Sequence, residues 1–449
     1  MTTHSIPSKN DVLAVLSNII DPDLKKDIVS LGFVKELSID EAGVVSLNLE
    51  LTTPACPVKE TFRSDAQRWI NTLAGVSDVR INFSAQQAPK QPSLRGLASV
   101  ANIIAVSSCK GGVGKSTVAV NLAYSLAKLG AKVGIFDADV YGPSLPTMVQ
   151  VSDSELYLED DLLKPFIYDN VKLMSFGFVQ HEEGQTAAML RGPMVSQIIN
   201  QLLTQTAWGD LDYLIIDMPP GTGDIQLTLG QLIPMTAAII VTTPQYLSFI
   251  DVVKGLELFQ TLQVPVVAAV ENMSYFLCKN CDEKHLLFGE GAKAKLSKEF
   301  GFETMIEIPV QSSLAEAGDN GIPFILKNPD SPITALYRDL ASTLAREVSK
   351  IKFGGYELPH VGYDQELGIL IKYAKEEGFS VPPRDLRVTC MCAHCQEEFS
   401  GKRLLEETKV SASVYPLSMN PVGNYALGIH WSDGHSSLFP YTFLLKWKK

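Results

Sequence analysis

The stretch Ile103-Ile104-Ala105-Val106-Ser107-Ser108-Cys109-Lys110-Gly111-Gly112-Val113-Gly114-Lys115-Ser116-Thr117 decides the fold of the largest part of this chain. A short β-rich run enters a glycine-rich loop, and Ala119, Leu122, Ala123 and Leu126 then recur with helical spacing. Strand, glycine loop and helix make the cradle that a nucleoside triphosphate requires. Glycines let backbone N–H groups approach phosphate oxygens, and the helix N-terminus adds positive potential. Gly111, Gly112, Val113, Gly114, Lys115, Ser116 and Thr117 are therefore the expected nucleotide-binding residues, with Lys115 neutralising phosphate charge and the Ser116 hydroxyl reaching Mg²⁺. A glycine-rich turn with an incidental lysine is the rival reading, and the strand and helix on either side count against it.

Outward from the loop, β-rich runs at 133–136, 213–216, 238–242 and 266–270 alternate with helical stretches. Strands separated by helices predict an α/β body, a P-loop NTPase with a mostly parallel, doubly wound sheet, over residues 100–350. Carboxylates at the C-terminal ends of such strands face the ligand crevice. Two segments supply them: Phe136-Asp137-Ala138-Asp139-Val140-Tyr141-Gly142-Pro143-Ser144 and Leu214-Ile215-Ile216-Asp217-Met218-Pro219-Pro220-Gly221-Thr222-Gly223-Asp224. Asp217 is expected to be tied to Mg²⁺ through water, Asp139 to position the attacking water, and Asp137 to support the Mg²⁺ shell. Any one of them could be an ordinary helix N-cap; beside the lysine loop they read together as ATPase chemistry.

Lys110 stands just after Cys109, where a usual P-loop has neither residue. Lys-Gly-Gly-x-Gly-Lys-Ser/Thr resembles the deviant Walker A signature of the MinD, ParA and nitrogenase-iron-protein class. That resemblance implies an ATP-dependent homodimer in which Lys110 reaches the facing subunit's nucleotide, and it completes the expected catalytic set of Lys110, Lys115 and Asp139. Asp137 to Ser144 and Asp217 to Asp224, with Val270-Glu271-Asn272-Met273-Ser274-Tyr275-Phe276-Leu277-Cys278-Lys279-Asn280-Cys281, resemble the Mrp/ApbC iron–sulfur carrier branch of that class. The resemblance implies that Asn272 contacts adenine and that Cys278 and Cys281 ligate a cluster at the dimer interface, although Lys279 departs from the proline often found there. Two cysteines cannot complete a four-coordinate site, whereas two copies across a twofold axis supply four thiolates, enough for a 4Fe-4S cluster. Zinc, or no metal at all, remains the alternative for this pair.

Residues 1–85 alternate a helical pattern (Val12, Val15, Leu16, Ile19), a β pattern (Val45, Leu47, Leu49, Leu51) and a second helix with Phe62, Ala66, Trp69, Ile70 and Leu73 on one face. They predict a small α+β domain, and Ile20 to Leu24, Asp27 to Val34 and Leu51 to Pro57 resemble the small domain of iron–sulfur assembly factors. Its lone Cys56 reads as a helix-start thiol whose pKa the helix dipole would lower, suited to metal contact or else chosen for size. Residues 86–99, rich in Gln, Pro and Ala, read as a linker.

Residues 351–449 predict a small β-rich domain, with short strands ending at Trp447, around Cys390-Met391-Cys392-Ala393-His394-Cys395 and His430-Trp431-Ser432-Asp433-Gly434-His435. This pattern, closing on a Trp-x-Asp-x-His strand, resembles the zinc-binding N-terminal module of γ-butyrobetaine-hydroxylase-type proteins. The match implies Cys390, Cys392, Cys395 and His435 as zinc ligands, with His394 and His430 outside the set; a second cluster is the rival. The three domains in this order resemble the plastid-type Mrp subgroup and its bacterial relatives.

With 449 residues, 46% apolar and 20% charged, the chain has the composition of a multidomain globular protein. A net charge of −12 argues against a nucleic-acid or anionic-membrane partner and fits protein and small-molecule partners better; the carrier resemblance implies apo iron–sulfur proteins and cluster donors. Five of the seven cysteines fall in two tight groups, as metal ligands do in a reducing compartment. No run has the roughly 18 uncharged apolar residues of a membrane span. The cytoplasm is the expected home, or an organelle stroma if a transit peptide lies outside this chain. The reading that emerges is an ATP-dependent cluster scaffold and carrier whose slow ATPase acts as a switch. Its rival is a MinD/ParA-like positioning ATPase without a cluster.

Overall fold

The computed structural model describes residues 6–85, 95–151, 156–159, 161–179, 192–221, 223–278, 280–281, 283–289, 293, 304–353, 359–373, 377–390, 392, 394–396, 402–422 and 426–448. The expected linker residues 86–94, together with Thr222 and Lys279, lie outside the described residues.

In the N-terminal unit, helix α1 (Lys9–Leu16) starts on a capping box in which Ser8 and Asp11 exchange hydrogen bonds. Strands β1 (Val34–Ile39), β2 (Val44–Leu51) and β3 (Asp78–Ala85) form one sheet in the order β1-β2-β3, and α2 (Lys59–Ile70) is the crossover between the parallel pair β2 and β3. Along β2 every second residue is buried, Val45, Leu47, Leu49 and Leu51, and α2 presses Phe62, Ala66 and Ile70 onto that face.

The central body is a nine-stranded sheet. Its strands are β4 (Ile103–Ser107), β5 (Val133–Asp137), β8 (Phe166–Tyr168), β9 (Val171–Ser175), β10 (Tyr213–Asp217), β11 (Ala237–Thr242), β12 (Val266–Leu277), β13 (Lys284–His285) and β14 (Met305–Val310); β6 (Leu158–Glu159) and β7 (Leu162–Leu163) form a separate small hairpin. The order is β13-β12-β11-β4-β10-β5-β9-β8, with β14 also on β12, and only the β8–β9 and β12–β13 pairs are antiparallel. Strands β4, β5, β10 and β11 are buried along their whole length, because helices cover both faces of a parallel sheet. Helix α3 (Lys115–Lys128) follows β4, α4 (Asp224–Leu232) follows β10 and α5 (Tyr246–Thr261) follows β11. Since β4 is flanked by β10 on one side and β11 on the other, the chain reverses its winding beside β4, where a doubly wound sheet opens its crevice. The long helix Pro332–Phe353 packs on α3 and carries the body three residues past the expected boundary at 350.

The C-terminal unit holds two three-stranded antiparallel sheets, β15 (His360–Asp364), β16 (Gly368–Lys372) and β17 (Phe379–Val381), then β18 (Pro416–Val422), β19 (Ala426–Trp431) and β20 (Ser436–Pro440). Its end differs from expectation: Tyr441–Leu444 and Leu445–Trp447 are helical turns, with Leu444 fully buried in the unit's own core. The Trp-x-Asp-x-His run is likewise a hairpin turn, not a strand, because β19 stops at Trp431 and Gly434 takes a φ of 79°. Both flanking units dock on the body, through Tyr213 Oη donating to Thr53 Oγ1 (2.8 Å) and Gln260 Nε2 donating to the Ser437 carbonyl (3.3 Å).

Candidate functional site

The loop after β4 has the backbone a phosphate cradle needs. Gly112 and Gly114 adopt φ of 77° and 82°, a region that side-chain-bearing residues enter at a cost, and a β carbon on Gly111 or Gly112 would meet nothing within 4 Å. Their outer faces are thus open. Gly114 caps α3, so the N–H groups of Lys115, Ser116 and Thr117 point out of the helix's first turn. The loop is tied down by Ser108 Oγ donating to the Lys110 carbonyl (2.8 Å) and by the Gly221 N–H donating to the Ser108 carbonyl (2.9 Å). Lys110 is half-buried beside Cys109, in a recess that Val113, Ile240, Thr242 and Val252 share.

Lys115, Ser116, Asp137 and Asp217 converge at the sheet's C-terminal edge. Parallel register sets Asp217 of β10 beside Asp137 of β5. Lys115 Nζ donates to Asp217 Oδ1, both groups being almost fully buried. Burial pushes the Asp217 carboxyl up, against the downward pull of Lys115 and Ser116. Asp137 is pushed up to about 7, first by burial and then by the charge of Asp217, against the N–H groups it accepts and the Lys115 charge. Its oxygens already accept from the Asp139 N–H (3.0 Å), the Ser144 N–H (2.9 Å), the Leu145 N–H (3.1 Å) and Ser175 Oγ (3.2 Å). Asp137 thus organises the 137–145 loop as well as facing the site. Asp139 is half-buried, and its Oδ1 accepts from the Gly142 N–H at 3.1 Å.

Asn272 lies on β12, two strands away from β4, and reaches under the loop: its Nδ2 donates to the Val113 carbonyl at 2.9 Å. It holds the loop from beneath, a contact that sequence reasoning did not anticipate.

Six residues further along, the same strand delivers the cysteine pair. Cys278 is half-buried and Cys281 exposed, and N–H groups of Asn280 and Cys281, followed by the Cys281 thiol, lower the Cys278 pKa. His285, which sequence reasoning missed, brings its ring to within 4.8 Å of both sulfurs. Around them Phe276, Leu277, Leu286, Leu287 and Phe288 are exposed.

In the C-terminal unit the structure brings together Cys390, Cys392, Cys395 and His435. His435 Nε2 lies 3.3, 3.4 and 3.6 Å from the three sulfurs in that order. A tetrahedral zinc with bonds of about 2.3 Å to sulfur and about 2.0 to 2.1 Å to nitrogen has S···N edges of about 3.5 Å, so these donors fit that ion. Arg387 supports them, donating from Nη1 to Cys395 Sγ (3.5 Å) and from Nε to Asp433 Oδ2 (2.9 Å), while Asp433 Oδ1 accepts the His435 N–H (3.1 Å). His394 and His430 are both exposed and outside this group.

Cys56 departs from expectation. It precedes α2 by three residues, and its thiol is pushed up to about 11 because burial and the nearby Asp21 and Asp23 charges outweigh the N–H it accepts from Val58. This environment favours the thiol over the thiolate.

Residues 99–345 match the family described as NUBPL iron-transfer P-loop NTPase, residues 9–83 the iron–sulfur cluster assembly protein family, and residues 364–445 the N-terminal region of γ-butyrobetaine hydroxylase-like proteins. The chain is 48% identical over 444 residues to the chloroplastic Fe-S cluster assembly factor HCF101 of Arabidopsis thaliana, covering 97% of this chain and 82% of that protein. It is 44% identical over 346 residues to an iron-sulfur cluster carrier protein of Synechocystis sp., covering 75% of this chain and 97% of that one. A solved nucleotide-binding protein from Archaeoglobus fulgidus, in complex with ADP, aligns at a TM-score of 0.47 and 38% identity over 54% of this chain and 93% of that one.

Proposed function

The chain belongs to the family of iron-transfer P-loop NTPases that includes the iron–sulfur cluster carriers, and from that membership we propose an ATP-driven carrier that holds a 4Fe-4S cluster between two copies and passes it to apoproteins. The observation that carries the proposal is the continuity of β12. One strand touches the nucleotide loop through Asn272 and ends at Leu277, immediately before Cys278, with Cys281 in the turn beyond. Between them Met273 holds a φ of 57°, in the left-handed region, and the pairing of β12 with β14 slips register there. A strained step of this kind between two sites is a natural place for a two-state change.

The chemistry follows from the groups in place. The loop N–H groups and Lys115 bind the phosphates, and Ser116 with Asp217 would hold Mg²⁺, which would supply counter-charge to the phosphates. Lys115 leaves Asp217 to meet the phosphates, freeing that carboxylate toward the metal's water shell. Asp139 orients the attacking water, and Lys110 reaches across to the partner's nucleotide. Hydrolysis is slow and works as a switch, reported by the 137–144 and 217–224 segments, which contact each other where the Ala138 N–H donates to the Asp217 carbonyl. The exposed apolar rim around Cys278 and Cys281 suits burial against a second copy, and a cluster held by two thiolates from each copy near solvent is labile, as a carrier needs. Cys390, Cys392, Cys395 and His435 would hold a zinc ion that ties the C-terminal unit together. All seven cysteines are free, which suits a reducing compartment, cytoplasm or stroma.

The test is anaerobic reconstitution with iron and sulfide, then incubation with an apo four-iron protein. The parent should show one cluster per dimer and activate the acceptor, while Cys278→Ala and Cys281→Ala should retain MgATP binding and lose both. A parent that never takes up a cluster would leave the positioning-ATPase reading standing, and variants that transfer normally would move the cluster site elsewhere.

A further inference from the structure

The hairpin at the end of β12 assembles more donors than a bridging cluster uses. Strands β12 and β13 pair antiparallel, with Phe276 opposite His285 and Leu277 opposite Lys284, and the Cys278 N–H donates to the Glu283 carbonyl at 3.1 Å to close the turn. Strand residues alternate faces, so Phe276 and Cys278 share one face, and the register puts His285 on that face too. On the opposite face Lys284 is anchored with its ammonium 3.9 Å from the centre of the Tyr275 ring, which keeps its charge away from the thiols. The outcome is that Cys278 Sγ, Cys281 Sγ and a His285 ring nitrogen all lie within 4.8 Å of one another.

We propose that Cys278, Cys281 and His285 form a mononuclear metal site inside a single chain, taking zinc or ferrous iron and leaving the fourth position of a tetrahedron open. Two thiolates and an imidazole are the donor set such borderline-soft divalent ions select. Tetrahedral edges are about 3.5 to 3.8 Å, so the donors need close by no more than about 1.3 Å, within reach of rotamer changes at these solvent-accessible side chains. The same thiolates would serve a bridging cluster, so ion and cluster exclude each other, and the imidazole gives a lone subunit a third ligand that the four-thiolate dimer does not need. The site stands on its own donors and does not depend on the carrier reading.

The experiment uses the full-length chain, stripped of metal and titrated anaerobically with cobalt(II) as the probe, with subunit mass followed by light scattering. The parent should bind two ions per chain as a monomer, the first at the Cys390, Cys392, Cys395 and His435 group and the second, weaker one at the hairpin. His285→Ala should leave the first unchanged and weaken the second by more than about tenfold, the least that losing even an outer-shell partner can cost. His285→Cys should restore it with added sulfur-to-cobalt absorption, and unchanged MgATP binding would show both variants folded. The proposal is overturned if His285→Ala keeps the second ion at parental affinity, if the parent binds only one ion per chain, or if the second ion appears as one per two chains in a dimer.

Discussion

Replacing Gly114 with alanine should disable nucleotide binding through two costs that can be separated. Gly114 sits at φ 82°, ψ 25°, and a β carbon there would stand 2.2 Å from Nδ2 of Asn272, far inside contact distance. Alanine in this left-handed conformation costs about 1–2 kcal/mol. Forcing the Asn272 amide aside strands the buried Val113 carbonyl it now serves, at about 1–3 kcal/mol. If both fall on the binding-competent loop, Gly114→Ala should weaken MgATP binding by about 2–5 kcal/mol, roughly 30- to 4,000-fold. Asn272→Ala alone should lose only the second cost. The double variant has no clash left and counts the lost hydrogen bond once, so it should bind about as well as Gly114→Ala, a coupling of about 1–3 kcal/mol. Titration of a fluorescent ATP analogue with Mg²⁺ against all four proteins reads this directly, with thermal melts confirming that each is folded. Strictly additive losses would mean that the new methyl group does not displace Asn272, and a parental affinity for Gly114→Ala would refute the reasoning altogether.

Lys115→Ala should abolish MgATP binding, because the phosphates lose their main counter-charge and Asp217 is left buried without its partner, whereas Lys110→Ala should bind nucleotide and fail to hydrolyse it; a parental steady-state rate for Lys110→Ala would exclude the cross-dimer assignment. Elemental analysis of zinc-saturated protein should find about one zinc per chain fewer in His435→Ala than in the parent, and a variant retaining the parental zinc content would remove the four-donor assignment. In the nucleotide-free protein, Asp137 binds its proton more tightly when folded, near 7, than when unfolded, near about 3.9. Its stabilising effect is therefore complete at low pH and is lost as pH rises toward and through 7, at up to about 1.4 kcal/mol per unit. Denaturant melts between about pH 5 and about pH 8 should show this slope, and Asp137→Asn should flatten it; an unchanged slope would assign the proton to another group.

What could be read in the chain before its structure was whatever neighbouring residues determine together. Val133 to Asp137 and Tyr213 to Asp217 announce themselves as buried parallel strands because both of their faces are apolar, and a carboxylate at the end of such a strand has only the crevice to face. The two-strand addition Phe166–Tyr168 and Val171–Ser175 is hidden from local pattern, since three residues carry too little periodicity to separate from loop and Lys172 interrupts the apolar run of the second strand. The helix-start rule gives Cys56 the wrong sign because it contains the dipole and nothing of burial, and burial is the larger effect here. Asn272 was singled out by resemblance, yet its contact with Val113 depends on a sheet order, β12-β11-β4, that no local window contains. His285 is the opposite case: Cys278, Cys281 and His285 stand at Cys-x-x-Cys-x-x-x-His spacing, a zinc-like interval visible in the chain. The cysteine pair alone already satisfies the dimer arithmetic of four thiolates, which makes no demand on the histidine. That arithmetic sets how many donors a cluster needs and places no ceiling on how many the chain provides. The surplus became visible only when the β12–β13 register set the imidazole on the same face as the Cys278 thiol.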